Sequence, residues 1–149
     1  MPKLDLDAIE QTNTTGYFTP YDAPVQGRWY RKLMGPSGLT DFGATHCTLK
    51  PGAWSSQRHW HAEEDELVVI LSGNAVLIDD SGRTAMHAGD VATFPKGDGN
   101  GHHLVNESGA DCILLAIGKV ALSDCHYPDI DMHLFAGAGR QKRKDGSEA

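Results

Sequence analysis

Cysteine is scarce in this chain, and the few present do not pair by pattern. Cys47, Cys112 and Cys125 are odd in number and widely spaced, with no CxxC, which excludes a disulfide framework and a zinc ribbon. Cys47 and Cys112 sit in apolar, strand-like runs and read as small core residues. Long apolar runs are also missing. The longest unbroken aliphatic one spans residues 67–71, far short of the ~20 residues that cross a bilayer. The opening MPKLDLDAIE lacks the basic-then-apolar order of a secretory signal, so the expected compartment is the cytoplasm. Basic residues are outnumbered 13 to 20 by acidic ones, for a net charge of −7, which argues against a nucleic-acid partner. There is no helix-turn-helix segment, nucleophile elbow, phosphate-binding glycine loop or dinucleotide fingerprint. After residue 27 no stretch of ten or more residues carries a helical period.

The charge is uneven. Arg140, Lys142, Arg143 and Lys144 lie in the last eleven residues with only two acids, leaving 9 of the 13 basic and 18 of the 20 acidic groups to residues 1–138. Residues 140–149 are therefore expected to be a polar, disordered tail.

Short apolar runs and turn signals are plentiful. Seventeen glycines fall mostly between strand-like segments: RWYRKLM, FGATHCTLK, AWSSQRHWH, ELVVILSG, NAVLIDD, RTAMHAG, DVATFPKG, HHLVNESG and CILLAIGKV. Short strands at regular spacing with glycine-rich turns predict an all-β sandwich or barrel over residues 28–120. Residues 1–27 read as an N-terminal arm. Residues 121–139 read as a strap returning over the barrel. Trp29, Tyr30, Trp54, Trp60 and Phe94 are expected in the core or at an interface.

The chemistry concentrates in HWHAEEDELVVILSG, residues 59–73. Side chains alternate along a strand, so on a strand AWSSQRHWH the residues Ser55, Gln57, His59 and His61 share one face. Two imidazoles at i and i+2 can bind one metal ion. Ala62–Asp65 then turns the chain, and Glu66, the last acid before the apolar run, is placed on the next strand beside them. Glu63, Glu64 and Asp65 read as solvated turn residues. A third imidazole comes from GNGHHLVN, where His102 and His103 point opposite ways and periodicity alone does not choose between them. Three imidazoles and a carboxylate suit Zn, Fe, Ni or Mn, with two positions of an octahedral ion left for a ligand.

Gly52, His59-Trp60-His61, Glu66 and Gly73 resemble the first motif of the cupin superfamily. Gly89, Pro95-Lys96-Gly97, His102 and Asn106 resemble the second. The likeness covers residues 45–118, and the whole chain is similar to small single-domain bacterial cupins. Two spacings depart from the pattern: six residues rather than five separate Gly52 from His59, and two extra residues in DGNG precede His102. The resemblance implies a double-stranded β-helix, a jelly-roll-like small barrel, with His59, His61, Glu66 and His102 as the metal ligands. It also implies a homodimer, with the arm at residues 14–30 as a candidate for exchange between subunits.

These readings point to a metal-dependent cupin acting on a small oxygen-rich metabolite, with isomerase chemistry favoured over lyase or dioxygenase chemistry by fold-level analogy. Gln57 and Tyr127 are the weak candidates for a catalytic role. A non-catalytic metal or small-molecule binding module is the alternative. The expected partner is a small-molecule ligand, with no nucleic acid and no membrane.

Overall fold

The computed structural model describes residues 2–120 and 122–149. Met1 and Ala121, the first residues of the expected arm and strap, lie outside the described residues. Eleven short strands follow one another: β1 (Arg28–Lys32), β2 (Gly43–Leu49), β3 (Trp60–His61), β4 (Glu66–Ser72), β5 (Asn74–Asp79), β6 (Gly82–His87), β7 (Val91–Phe94), β8 (His103–Val105), β9 (Cys112–Gly118), β10 (Cys125–His126) and β11 (His133–Leu134). The one α-helix among the described residues is a single turn, Met34–Ser37. Among the described residues no helix is long and apolar enough to cross a membrane.

The strands form a five-stranded sheet in the order β1-β2-β9-β4-β7 and two three-stranded sheets, β6-β5-β8 and β11-β10-β3. All pairings are antiparallel. The alternation of the sequence explains the core. Cys47 and Leu49 of β2, Val68 and Ile70 of β4, and Cys112 and Leu114 of β9 point inward to meet Ala75, Met86 and Leu104 of the facing sheet. Burial of these aliphatic faces is the main driving force for closing the two sheets. The three cysteines are free and buried.

Two polar devices fix the closure. Asn106 is fully buried; its amide donates to the carbonyls of Leu49 and Ala110, each at 2.8 Å, and its side-chain oxygen accepts from the backbone and hydroxyl of Ser108. It thus ties the loop after β8 to the end of β2 with no donor or acceptor left over. Gly73 turns β4 into β5 at φ +76°, where a Cβ would stand 2.4 Å from the Asp111 carbonyl oxygen; only glycine fits that position.

The expected strand AWSSQRHWH is interrupted. Trp54 and His59 make isolated bridges to Val105 and His102, and only Trp60–His61 is a strand. Between them the chain bends, because Ser55 turns its hydroxyl to the Leu104 amide at 2.9 Å while its own amide donates to the Leu104 carbonyl. Strict alternation therefore fails over residues 55–58.

Arm, strap and tail pack on one another rather than hanging free. Thr12 exchanges backbone hydrogen bonds with Tyr30 of β1. Strand β10 adds to β3, pairing Cys125 with His61 and His126 with Trp60. Cys125, Tyr127 and Met132 form a second small core with Tyr17, Phe18 and Tyr21 of the arm. Residues 140–149, expected to be disordered, fold back instead. Lys142 and His133 exchange backbone hydrogen bonds at 2.9 Å, Arg143 meets Asp131, and Arg140 and Lys142 share Glu148. Composition misled here because backbone pairing and ion pairs, not apolar surface, hold the segment.

Candidate metal centre and cavity

His61 of β3, Glu66 at the start of β4, and the bridged pair His59 and His102 just before β3 and β8 come together. Oε2 of Glu66 lies 3.7 Å from His59 Nε2, 3.5 Å from His61 Nε2 and 3.4 Å from His102 Nε2. The spacing that places two imidazoles beside a carboxylate in sequence therefore places them so in space. His103 is turned the other way: its Nδ1 contacts the Ser56 carbonyl at 2.9 Å and its ring packs edge-on against Trp54.

Two of the imidazoles, His59 and His102, are held in place by neighbouring groups. Nδ1 of His59 lies 2.9 Å from the Gln57 carbonyl, to which only a protonated nitrogen can donate, so Nε2 keeps its lone pair toward Glu66. His102 lies flat against Phe94, with ring centroids 3.5 Å apart and planes within 1°. Phe94 is the cross-strand partner of Glu66, so one aromatic ring braces the carboxylate strand and the third imidazole.

The electrostatics of the cluster follow from its burial and from the mutual contacts of its four side chains. Burial works to raise the Glu66 pKa, but the imidazoles packed around it, His102 first, override it and hold the carboxyl well below its usual range. Burial lowers the pKa of His59, keeping that imidazole neutral. On His61 burial opposes the charge, but Cys125 and Glu66 outweigh it and push the pKa up to about 10. Three imidazoles and a carboxylate, with a displaceable proton on His61, form a donor set that fits a divalent transition metal.

The cluster opens on a cavity of about 350 Å³, whose walls also include Tyr17, Arg28, Ser55, Cys125, Tyr127 and Gln141. Of the two weak catalytic candidates, only Tyr127 lines it. Its phenol is buried, 5.9 Å ring to ring from His59, and burial next to Tyr17 drives its pKa well up. Gln57 is 6% exposed and donates to the Tyr21 carbonyl at 2.8 Å. The bend at residues 55–58 takes its side chain off the cavity face, and its carbonyl, not its amide, serves the site by holding His59.

Glu64, expected in solvent, is 4% exposed. It accepts from the backbone amides of Leu122 and Ser123 at 2.8 Å each and from the Ser123 hydroxyl, and so pins the strap. Asp65 likewise accepts from the Lys96 amide. Asp129 pairs with both Nε and Nη2 of Arg58 at 2.8 Å, and Arg58 also binds Asp80 and the Gly101 carbonyl, fastening the strap to the loop before His102.

Cys125, Arg28, Tyr17 and Gln141 were not legible as site residues. Alternation puts Arg28, Tyr30 and Lys32 on one face of β1, but nothing in the sequence says that this face is the interior. Asp124, His126 and His133 form a second cluster, with ligand atoms within 4.8 Å of one another.

A small antiparallel barrel with three imidazoles and a carboxylate on its inner wall defines the class. The cupin-domain family model matches residues 45–118. A sugar phosphate isomerase of the cupin superfamily from Silicibacter pomeroyi is 41% identical, with a TM-score of 0.91 over 99% of this chain and 96% of that one. A protein named for a proposed sugar phosphate isomerase activity, from Acidithiobacillus ferrooxidans, is 26% identical, with a TM-score of 0.71 over 77% and 74% of the two chains. The polyketide cyclase RemF from Streptomyces resistomycificus shares the fold at 21% identity and a TM-score of 0.63, over 80% and 79%. No curated protein matches the chain. The chain belongs to the cupin superfamily.

Proposed function

We propose that the protein is a metal-dependent enzyme that isomerises a small oxygen-rich metabolite. The observation that carries this reading is the convergence of His59, His61 and His102 on one oxygen of Glu66 in the wall of a cavity large enough for a small metabolite. These four residues would hold a divalent ion, Zn, Fe, Ni or Mn. Bound there, the ion would supply Lewis-acid polarisation of adjacent substrate oxygens. Isomerisation is favoured over lyase or dioxygenase chemistry by the 41% identity to a sugar phosphate isomerase.

The chain's own contributions follow from the lining. Tyr127, kept protonated by burial, presents an O–H to the cavity and serves as a proton or hydrogen-bond donor to a developing oxyanion. The arm, strap and tail cover it through Tyr17 and Gln141 and exclude water. We further place the protein in a reducing cytoplasm, where three free cysteines persist, as a homodimer. The exposed Leu39 and Phe42 are candidates for its interface; sedimentation analysis checks the mass.

One observation favours a non-catalytic binding module instead: among the described residues Glu66 is the one carboxylate lining the cavity, which leaves no separate acidic base there. Elemental analysis decides the first step. The protein, purified without chelator or histidine tag, should hold about one equivalent of a transition metal, and a His59→Ala/His61→Ala variant should hold none. No metal in the wild type after reconstitution would overturn the metal-dependent reading. If metal raises the melting temperature but no metabolite shifts the holo form, the binding module takes its place.

A further inference from the structure

The six arginines of this acidic chain are not treated alike. Arg31 pairs with Asp7, Arg58 with Asp80 and Asp129, Arg83 with Glu107, Arg140 with Glu148, and Arg143 with Asp131. Among the described residues Arg28 alone has no carboxylate partner. Yet Arg28 lies inside, lining the same cavity as the histidine cluster.

Its partners are few. Nη1 donates to the Ser55 carbonyl at 2.9 Å, and the guanidinium carbon stands 5.2 Å from the centre of the Tyr30 ring. Nε is buried and makes no hydrogen bond, and Nη2 makes none among the described residues. A guanidinium offers five N–H donors and is never neutral in a protein. Enclosing one with a single carbonyl and one aromatic face leaves its charge uncompensated, which is unfavourable unless an anion completes the site. In a chain with 20 acids, five of its six arginines have a carboxylate supplied by the protein. The sixth, partly buried in the cavity wall, has none among the described residues and is left free to take its counter-charge from a ligand.

We infer that Arg28 is an anion subsite, and that the ligand of this cavity carries an oxyanion, a phosphate ester or a carboxylate, which the Arg28 guanidinium holds while its other oxygens face the His59–His61–Glu66–His102 cluster. The planar fork of arginine fits either group with paired hydrogen bonds. Lys32, exposed on the same face of β1, lines the cavity too and adds positive potential. Ser55 fixes the guanidinium from behind, so the subsite is formed before the ligand arrives. The consequence is specificity: a neutral polyol of the same size would leave Arg28 unpaired and bind weakly. This inference rests on reading the cavity as a substrate site.

The experiment titrates inorganic phosphate, and separately acetate, into the full-length protein at constant ionic strength. It compares wild type, Arg28→Met, Arg28→Lys and His59→Ala/His61→Ala. Metal content is measured on every sample, and each is run with and without prior chelation. At least one anion is expected to bind saturably to wild type and to raise its melting temperature. Arg28→Met should weaken that binding about tenfold or more while retaining as much metal as wild type, and Arg28→Lys should lie between. Should Arg28→Met fail to fold, the Arg28 Nε–H resonance of the wild type replaces it, and that signal should shift with the bound fraction. Which anion binds more tightly separates a phosphorylated from a carboxylated ligand. The inference is overturned if neither anion binds wild type, if Arg28→Met binds as tightly as wild type, or if the resonance stays fixed through saturation. Anion binding that survives in Arg28→Met but vanishes in the double histidine variant would also overturn it, while leaving the metal-dependent reading intact. Arg28-dependent anion binding by a protein that takes up no metal would do the reverse.

Discussion

Phe94 lies flat on His102, ring on ring at 3.5 Å, and across the sheet its partner is Glu66. One apolar side chain therefore sets the plane of an imidazole and backs the strand bearing the carboxylate. Phe94→Leu keeps the site's donors but removes the flat support. Metal affinity should fall about tenfold, measured by competition with a chromophoric chelator, while the far-ultraviolet dichroism is unchanged. Unaltered affinity would show that His102 needs no such brace.

The raised pKa of His61, about 10, would make a bound metal and the proton competitors for one nitrogen. In metal-free protein its stabilising contribution is complete below the ordinary value of 6.5 and is lost as pH rises through the folded value. The melting temperature of the metal-free protein should accordingly decline between about pH 6.5 and 10, while metal affinity rises over the same window because the proton no longer has to be displaced. His61→Ala should abolish metal retention and leave a folded barrel. Stoichiometric metal in that variant would remove His61 from the ligand set.

Glu64 ties the strap to the barrel through three hydrogen bonds to residues 122 and 123. Burial acts to raise its pKa, but those donors bring it below 4.5, so its contribution is present above 4.5 and is lost as pH falls through the folded value. Glu64→Ala should destabilise the protein by about 2–3 kcal/mol, read from denaturant unfolding at neutral pH. Limited proteolysis should then cut near residues 120–124 first.

Tyr127 is the one weak catalytic candidate on the cavity wall. Tyr127→Phe preserves the packing against Tyr17 and removes only the hydroxyl. Turnover on an isomerisable substrate should drop about a hundredfold with metal content unchanged. Equal turnover would assign Tyr127 to packing alone.

Much of this architecture was legible. Alternation and glycine-rich turns mark the strands of the two main sheets, because a period of two is imposed by strand geometry itself. The spacing of His59, His61 and Glu66 marks the cluster because two imidazoles two residues apart in an extended segment share a face, and the turn at residues 62–65 leads directly to Glu66 at the start of β4, although β3 and β4 lie in different sheets. The choice of His102 over His103 came from motif spacing, and the structure places His102 beside Glu66 and His103 against Trp54.

What the sequence could not show is whatever depends on contacts between distant segments. Gln57 leaves the cavity face because Ser55 bonds to Leu104, 49 positions away. Glu64 looks like a solvated turn residue until the strap arrives, 58 residues later, with two free amides. The tail looks disordered by composition until Lys142 meets the edge offered by His133. Arg28 looks like any surface cation on an edge strand. Its isolation is visible only when the cavity closes around it and, among the described residues, no acid comes within ion-pair distance. Strand periodicity and ligand spacing are local properties, fixed by backbone geometry and written in the sequence alone. Burial, partner choice and the absence of a partner belong to the tertiary structure, because each is decided by which remote groups the closed barrel brings together.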